Sequence, residues 1–106
     1  MIYKRPAAKP GIYLVTFELP AQFWAERIYL VGDFNDWDQA KDRMEQDGPD
    51  GNWTKTVELE AGREYQFRYL ADGQFWHNDN AADRYEDNQR GSTNSVVVLP
   101  PLDTDA

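Results

Sequence analysis

Five residues have types and spacings suited to chemistry on a ligand: Trp37, Arg68, Phe75, Trp76 and Asn94. A sugar ring has one face of C–H groups, which packs on an aromatic plane. Its rim of hydroxyls needs donors and acceptors such as a guanidinium and a side-chain amide. Two rings, a charged donor and an amide meet both needs. Each residue also has a plainer reading: Trp37 as a cap on the core, Arg68 as the partner of a neighbouring acid, Asn94 as the cap of a turn. Only their conjunction points to a ligand. Phe75 and Trp76 are adjacent, so on a strand one of them faces Arg68's side. Indole offers the larger plane and an N–H donor, which favours Trp76, with Phe75 as the alternative.

Other chemistries fit poorly. Glycoside hydrolysis needs two carboxyls held across a cleft at a set separation, and nothing in the pattern of acids marks such a pair. His77 is the only histidine and there is no cysteine, which excludes a typical zinc site. Asp47 with Asp50, and Asp79 with Asp83 and Asp87, offer oxygens to calcium but lack EF-hand spacing, so they read as solvated acids. No serine sits in a nucleophile elbow. The sequence therefore predicts a protein that is not an enzyme and uses no metal or cofactor.

With 106 residues the chain makes one domain, too small for two lobes around a deep cleft. Eleven basic and nineteen acidic side chains give a net charge of −8, which repels nucleic acid and anionic membranes. Neither is an expected partner. Without cysteine no disulfide contributes to stability. No run approaches the length of a membrane span, and Met1 to Gly11 does not resemble a secretory signal, so the expected compartment is the cytoplasm. Four Trp, six Tyr and five Phe are many for so short and acidic a chain. Some of those rings are expected to serve recognition.

The elements that position the five residues read as strands. Ile12 to Leu19 alternates, with Tyr13, Val15, Phe17 and Leu19 on one face, and Pro20 ends it. Phe23 and Trp24 follow in a connector, where a loop aromatic serves to plug the end of a sheet, and Trp24 is read as structural. Arg27 to Val31 is a second strand running into Gly32-Asp33-Phe34-Asn35-Asp36-Trp37. In that turn Asn35 and Asp36 tolerate left-handed dihedrals and aim one ring inward and one outward. Asp38 to Asn52 reads as a long polar loop pinned at Met44, with a turn cluster at Gly48, Pro49, Asp50 and Gly51. Trp53 to Glu60 alternates again, and Ala61-Gly62-Arg63 reads as a tight hairpin to an antiparallel strand, Glu64 to Ala71. There Tyr65, Phe67, Tyr69 and Ala71 face the core and Arg68 points out. Asp72-Gly73 is a strong hairpin signal, and Gln74 to His77 returns from it. Asn78 to Thr93 reads as an irregular loop, and Asn94 to Leu99 as the closing strand. Phe17, Val31, Trp53, Phe67 and Val97 are the expected core between two sheets. Six or seven short strands without a helical segment imply an all-β antiparallel β-sandwich over residues 11–100, preceded by an arm at 1–10 and followed by an acidic tail at 101–106.

Three stretches together resemble a known family. They are Gly32 to Trp37, then Tyr65-Gln66-Phe67-Arg68-Tyr69 running into Asp72-Gly73-Gln74, then Gly91-Ser92-Thr93-Asn94-Ser95 before a valine run. In order and spacing they are similar to the family 48 carbohydrate-binding modules. That family includes the glycogen-binding domain of AMP-activated protein kinase β subunits and the early-set domains of branching and debranching enzymes. The resemblance implies that the sandwich is immunoglobulin-like, of the early-set type, and that it binds α-1,4-linked glucans such as glycogen, starch and maltooligosaccharides without catalysis. It puts Trp37 at the first tryptophan, Arg68 at the basic position, Asn94 at the asparagine, and Phe75 or Trp76 at the second tryptophan. Arg90 stands where the kinase subunit has a leucine reaching into the sugar ring, so encirclement of the glucan is not implied. The family also implies an alternative: an early-set domain that docks on a catalytic or kinase partner without binding sugar.

Overall fold

Alternation builds the first sheet. In β2 (Ile12–Leu19) Tyr13, Val15, Phe17 and Leu19 are buried and the residues between them half-buried, the pattern of a strand with one covered face. β6 (Trp53–Glu60) pairs with it throughout, Leu19 against Trp53 and Tyr13 against Leu59. β1 (Ile2–Pro6) flanks β2, and the two-residue β5 (Glu45–Gln46) flanks β6. The structure, a computed structural model, describes residues 1–48, 51–87 and 91–102.

The second sheet is centred on β7 (Arg63–Ala71), between β3 (Ile28–Gly32) and β10 (Thr93–Leu99). β4 (Asp42–Arg43) and β9 (Arg84–Asp87) form its margins, and β8 (Phe75–His77) pairs with the end of β7. Asp72 and Gly73, with φ of 52° and 70°, open the three-residue β7–β8 turn that Gln74 completes, its N–H bonding the Ala71 carbonyl at 3.1 Å. Such left-handed dihedrals are those that Asp and Gly tolerate in a tight turn. All pairings are antiparallel. The fold is the expected antiparallel β-sandwich.

Aromatic rings join the sheets. Phe17 of β2 meets Phe67 of β7 edge-on at 4.8 Å between centroids, and Phe67 meets Tyr69 at 5.7 Å. The polar tips of core aromatics find backbone partners: Trp53 Nε1 donates to the Phe23 carbonyl at 3.1 Å and Tyr13 Oη to the Pro100 carbonyl at 3.0 Å. Of the expected core, Phe17, Trp53, Phe67 and Val97 lie in this cluster. Val31 is buried but on the other face, because it stands opposite Arg68 while Leu30 stands opposite Tyr69. On β3 the core positions are Ile28 and Leu30.

Several connections differ from the sequence reading. Ala61 to Arg63 is not a hairpin, since β6 and β7 belong to different sheets. The turn splits its bonds accordingly: Ala61 N–H goes to Gly11 of the first sheet's end and Gly62 N–H to Leu99 of the second, both at 2.8 Å. Within the polar stretch 38–52, β4 joins one sheet and β5 the other, and Met44 between them is 1% exposed, as a residue pinning two layers must be. Asn78 to Thr93 contains β9, paired with β10. The arm at 1–10 contains β1, an edge strand whose Lys4 bonds Asp83 at 2.6 Å and the Val98 carbonyl at 2.8 Å. Phe23 packs against the core as the expected plug, but Trp24 is 87% exposed and plugs nothing. Leu102 packs on the core as well. The remainder of the acidic tail (103–106), Pro49 and Asp50 of the turn cluster, and Arg90 lie outside the described residues.

Candidate functional site

Directly opposed residues of neighbouring strands share a face, so register assigns the outer face of the second sheet. One row reads Tyr29, Leu70, Trp76, and the next begins Val31, Arg68. A third reads Gln66, Val96, Arg84. Val31, Leu70 and Val96 are buried. They form an apolar base under the polar and aromatic groups of the same rows.

Arg68 is oriented by neutral partners rather than by an acid. Its Nε donates to Asn94 Oδ1 and its Nη2 to Ser92 Oγ, both at 2.6 Å. Asn94 Nδ2 donates in turn to Gln66 Oε1 at 2.9 Å. A guanidinium has five N–H donors, so these bonds fix its plane and leave others for a ligand. Asn94 is only 8% exposed. With both amide atoms already bonded, its main effect is to hold Arg68, with a second N–H to offer.

Trp76 stands opposite Leu70 and therefore on Arg68's face, 40% exposed. Phe75 stands opposite Ala71, on the other side of β8, 59% exposed. The geometry thus groups Trp76, not Phe75, with Arg68.

Trp37 follows β3 in a locally determined turn, tied through Asp33 to β7. At Gly32 a Cβ would lie 2.5 Å from the Gln66 carbonyl oxygen and 2.8 Å from Phe67 Cβ, so only glycine lets β3 approach β7 so closely. The chain then makes one 3₁₀ turn, Asp33–Asn35. The buried Asn35 accepts the Gly32 N–H at 3.0 Å and donates to the Leu30 carbonyl at 2.9 Å and Asp42 Oδ2 at 2.7 Å. Asp36 and Trp37 follow at φ 57° and 58°. A left-handed tryptophan persists only where the surroundings fix it, and here they do. Trp37 N–H bonds the Gly32 carbonyl at 2.9 Å, and its indole Nε1 donates to Asp33 Oδ1 at 2.9 Å. Asp33 Oδ2 accepts the Gln66 backbone N–H at 2.8 Å. Phe34 points inward, 5.7 Å from Phe17 and 6.1 Å from Tyr65, while Trp37 is half-buried.

Asp33, Gln66 and Ser92 belong to the arrangement and were not singled out from the sequence. Gln66 carried a signal, lying two residues from Arg68 on an alternating strand. Asp33 and Ser92 carried none beyond proximity to Trp37 and Asn94.

Elsewhere, an open depression of about 280 Å³ is lined by Tyr3, Lys4, Arg5 and Thr16 of the first sheet. Lys4 there is already engaged by Asp83. Among the described residues no group of three or more His, Cys, Asp or Glu could hold a metal ion, and no helix is long and apolar enough to cross a membrane.

Two antiparallel sheets packed face to face, one presenting a polar face flanked by aromatics, define an immunoglobulin-like β-sandwich module. The model of one family, described as the glycogen recognition site of AMP-activated protein kinase, matches residues 16–105, and the chain belongs to that family. The chain is also 33% identical over 79 residues to the 1,4-alpha-glucan branching enzyme GlgB of Mesorhizobium japonicum. That match covers 73% of this chain and 11% of the enzyme's length.

Proposed function

We propose that the chain is a non-catalytic module that binds α-1,4-linked glucans on the outer face of its second sheet. One observation carries this reading: Arg68, clamped by Asn94 and Ser92, shares a face with Trp76, while Asp33 ties Trp37 to the same strand, β7. Rings of Trp37 and Trp76 would take the C–H faces of glucose units, and Arg68 with Asn94 the hydroxyls between them. Membership of a glycogen-recognition family supports the ligand class. Retardation in a native gel cast with glycogen, against a gel without it, tests the reading. Unaltered mobility of the folded protein would refute it.

A second reading is docking on a catalytic or kinase partner without sugar binding. It is favoured by the similarity to a short part of a branching enzyme. Co-migration with such a partner, combined with no retardation by glycogen, would establish it instead.

A further inference from the structure

Trp24 is the most exposed large aromatic among the described residues, and the proposed platform does not use it. Its loop, which joins the two sheets, is fastened on both sides of the ring. On one side the Phe23 ring stands edge-on to His77 at 4.5 Å, and the Phe23 carbonyl accepts the Trp53 indole N–H. On the other, Asp72 Oδ1 in the β7–β8 turn accepts the backbone N–H groups of Glu26 at 2.9 Å and Arg27 at 3.1 Å. The Arg27 carbonyl takes the Asp72 N–H at 2.9 Å. Between these fastenings Ala25 packs on the core. Trp24 is therefore held outward by a braced loop, beside the hairpin that carries Phe75 and Trp76.

Phe75 lies two residues before His77 and so shares its side of β8, the side on which Phe23 docks. Trp76 occupies the opposite side. Three of the exposed large hydrophobic side chains, Trp24, Phe75 and Trp76, thus gather around one hairpin. Exposed apolar residues scattered singly need no explanation, but a group of them does.

We propose that Trp24 and Phe75 form a second stacking subsite, which takes further glucose units of a chain already lying on Trp76. The inference rests on the proposed glucan platform. A repeating polymer suits this arrangement because each added unit presents another C–H face, and because β8 pairs with β7 alone among the described strands, so that a chain leaving Trp76 can pass over its free edge to Phe75 and Trp24 on the other side. Hydroxyl partners are at hand in the polar side chains of Glu26 and Gln74, which flank the rings in sequence and are both exposed. The subsite makes affinity depend on chain length.

The test is titration calorimetry with maltotriose and maltoheptaose on the parent, Trp24→Ala and Trp24→Phe, with thermal unfolding as the check on folding. Trp24→Ala is expected to bind maltotriose like the parent and maltoheptaose at least about five-fold more weakly, with Trp24→Phe restoring most of the loss. Equal maltoheptaose affinity in parent and Trp24→Ala would overturn the subsite and leave the platform standing. Equal weakening towards both sugars would also overturn it, by placing the effect in the first site. A folded parent that binds neither sugar would overturn the platform and the subsite with it.

Discussion

Asp33 and Trp37 are joined by a 2.9 Å hydrogen bond from the indole Nε1 to one carboxylate oxygen, and the other oxygen holds the Gln66 backbone N–H at 2.8 Å. A single acid thus couples the ring to the strand that carries Arg68. Asp33→Ala is expected to cost about 1 to 2 kcal/mol, since a charge-assisted bond at an exposed position is lost and a strand N–H loses its partner. It should also loosen Trp37, read as lower steady-state anisotropy of tryptophan emission. Asp33→Asn, which keeps one acceptor oxygen, should fall between. Unchanged stability and anisotropy in Asp33→Ala would show that the turn holds Trp37 without the carboxylate.

Phe67 sits at the centre of the core, fully buried between Phe17 and Tyr69. Phe67→Ala removes the ring and leaves a space the two sheets cannot fully close, so a loss of about 3 to 5 kcal/mol is expected. Denaturant unfolding measures it. An unchanged midpoint would mean that the two sheets do not depend on this contact.

Tyr69 gives the fold an alkaline limit. Its hydroxyl is buried and donates to Asp79 Oδ2 at 2.7 Å. Burial first, then the Asp79 charge, push its pKa far above the usual 10.0. Above about pH 10 the unfolded chain releases this proton and the folded chain keeps it, so stability falls as pH rises, by up to about 1.4 kcal/mol per unit. Below that pH the contribution is complete. Tyr69→Phe should be less stable at pH 7, because Asp79 loses a donor, yet show a shallower decline between pH 10 and 11. Parallel declines would refute this account.

How much of this was legible depended on whether neighbours in sequence are neighbours in space. β2 and β6 were readable to the residue because Tyr13 to Leu19 and Trp53 to Leu59 alternate against a single covered face. β3 was not, because its two faces are both covered, one by the core and one by the row containing Arg68, so Val31 and Leu30 look alike in sequence. The turn at Ala61 to Arg63 is short enough for a hairpin. Only tertiary packing sends β7 into the other sheet. β4 and β5 are two residues each and have no period to read. At the candidate site, Trp37, Arg68 and Asn94 were named from residue type and spacing. The choice between Phe75 and Trp76 needed the β7–β8 register, and Trp24 needed the Phe23 and Asp72 anchors that leave it exposed.

The platform itself is tested by removing its parts singly. A shallow, solvated face gives modest affinity, because water competes for every hydroxyl, so the dissociation constant for maltoheptaose should be on the order of 0.1 mM, about 5 kcal/mol. Branched polymers should bind better through many weak contacts acting together. Trp37→Ala and Trp76→Ala each remove one stacking plane and should each cost about 1 to 3 kcal/mol, enough at this affinity to make binding hard to detect. Asn94→Ala should weaken binding chiefly by releasing the Arg68 guanidinium, which Asn94 Oδ1 holds at 2.6 Å. Arg68→Lys should fail to substitute, since an ammonium cannot present the same planar fork of donors. Phe75→Ala, on the opposite side of β8, should weaken maltoheptaose while leaving maltotriose unaffected. Calorimetry with both sugars on this set decides the arrangement. If Phe75→Ala abolished maltotriose binding and Trp76→Ala spared it, the second plane would lie one residue earlier, on the side of the strand away from Arg68.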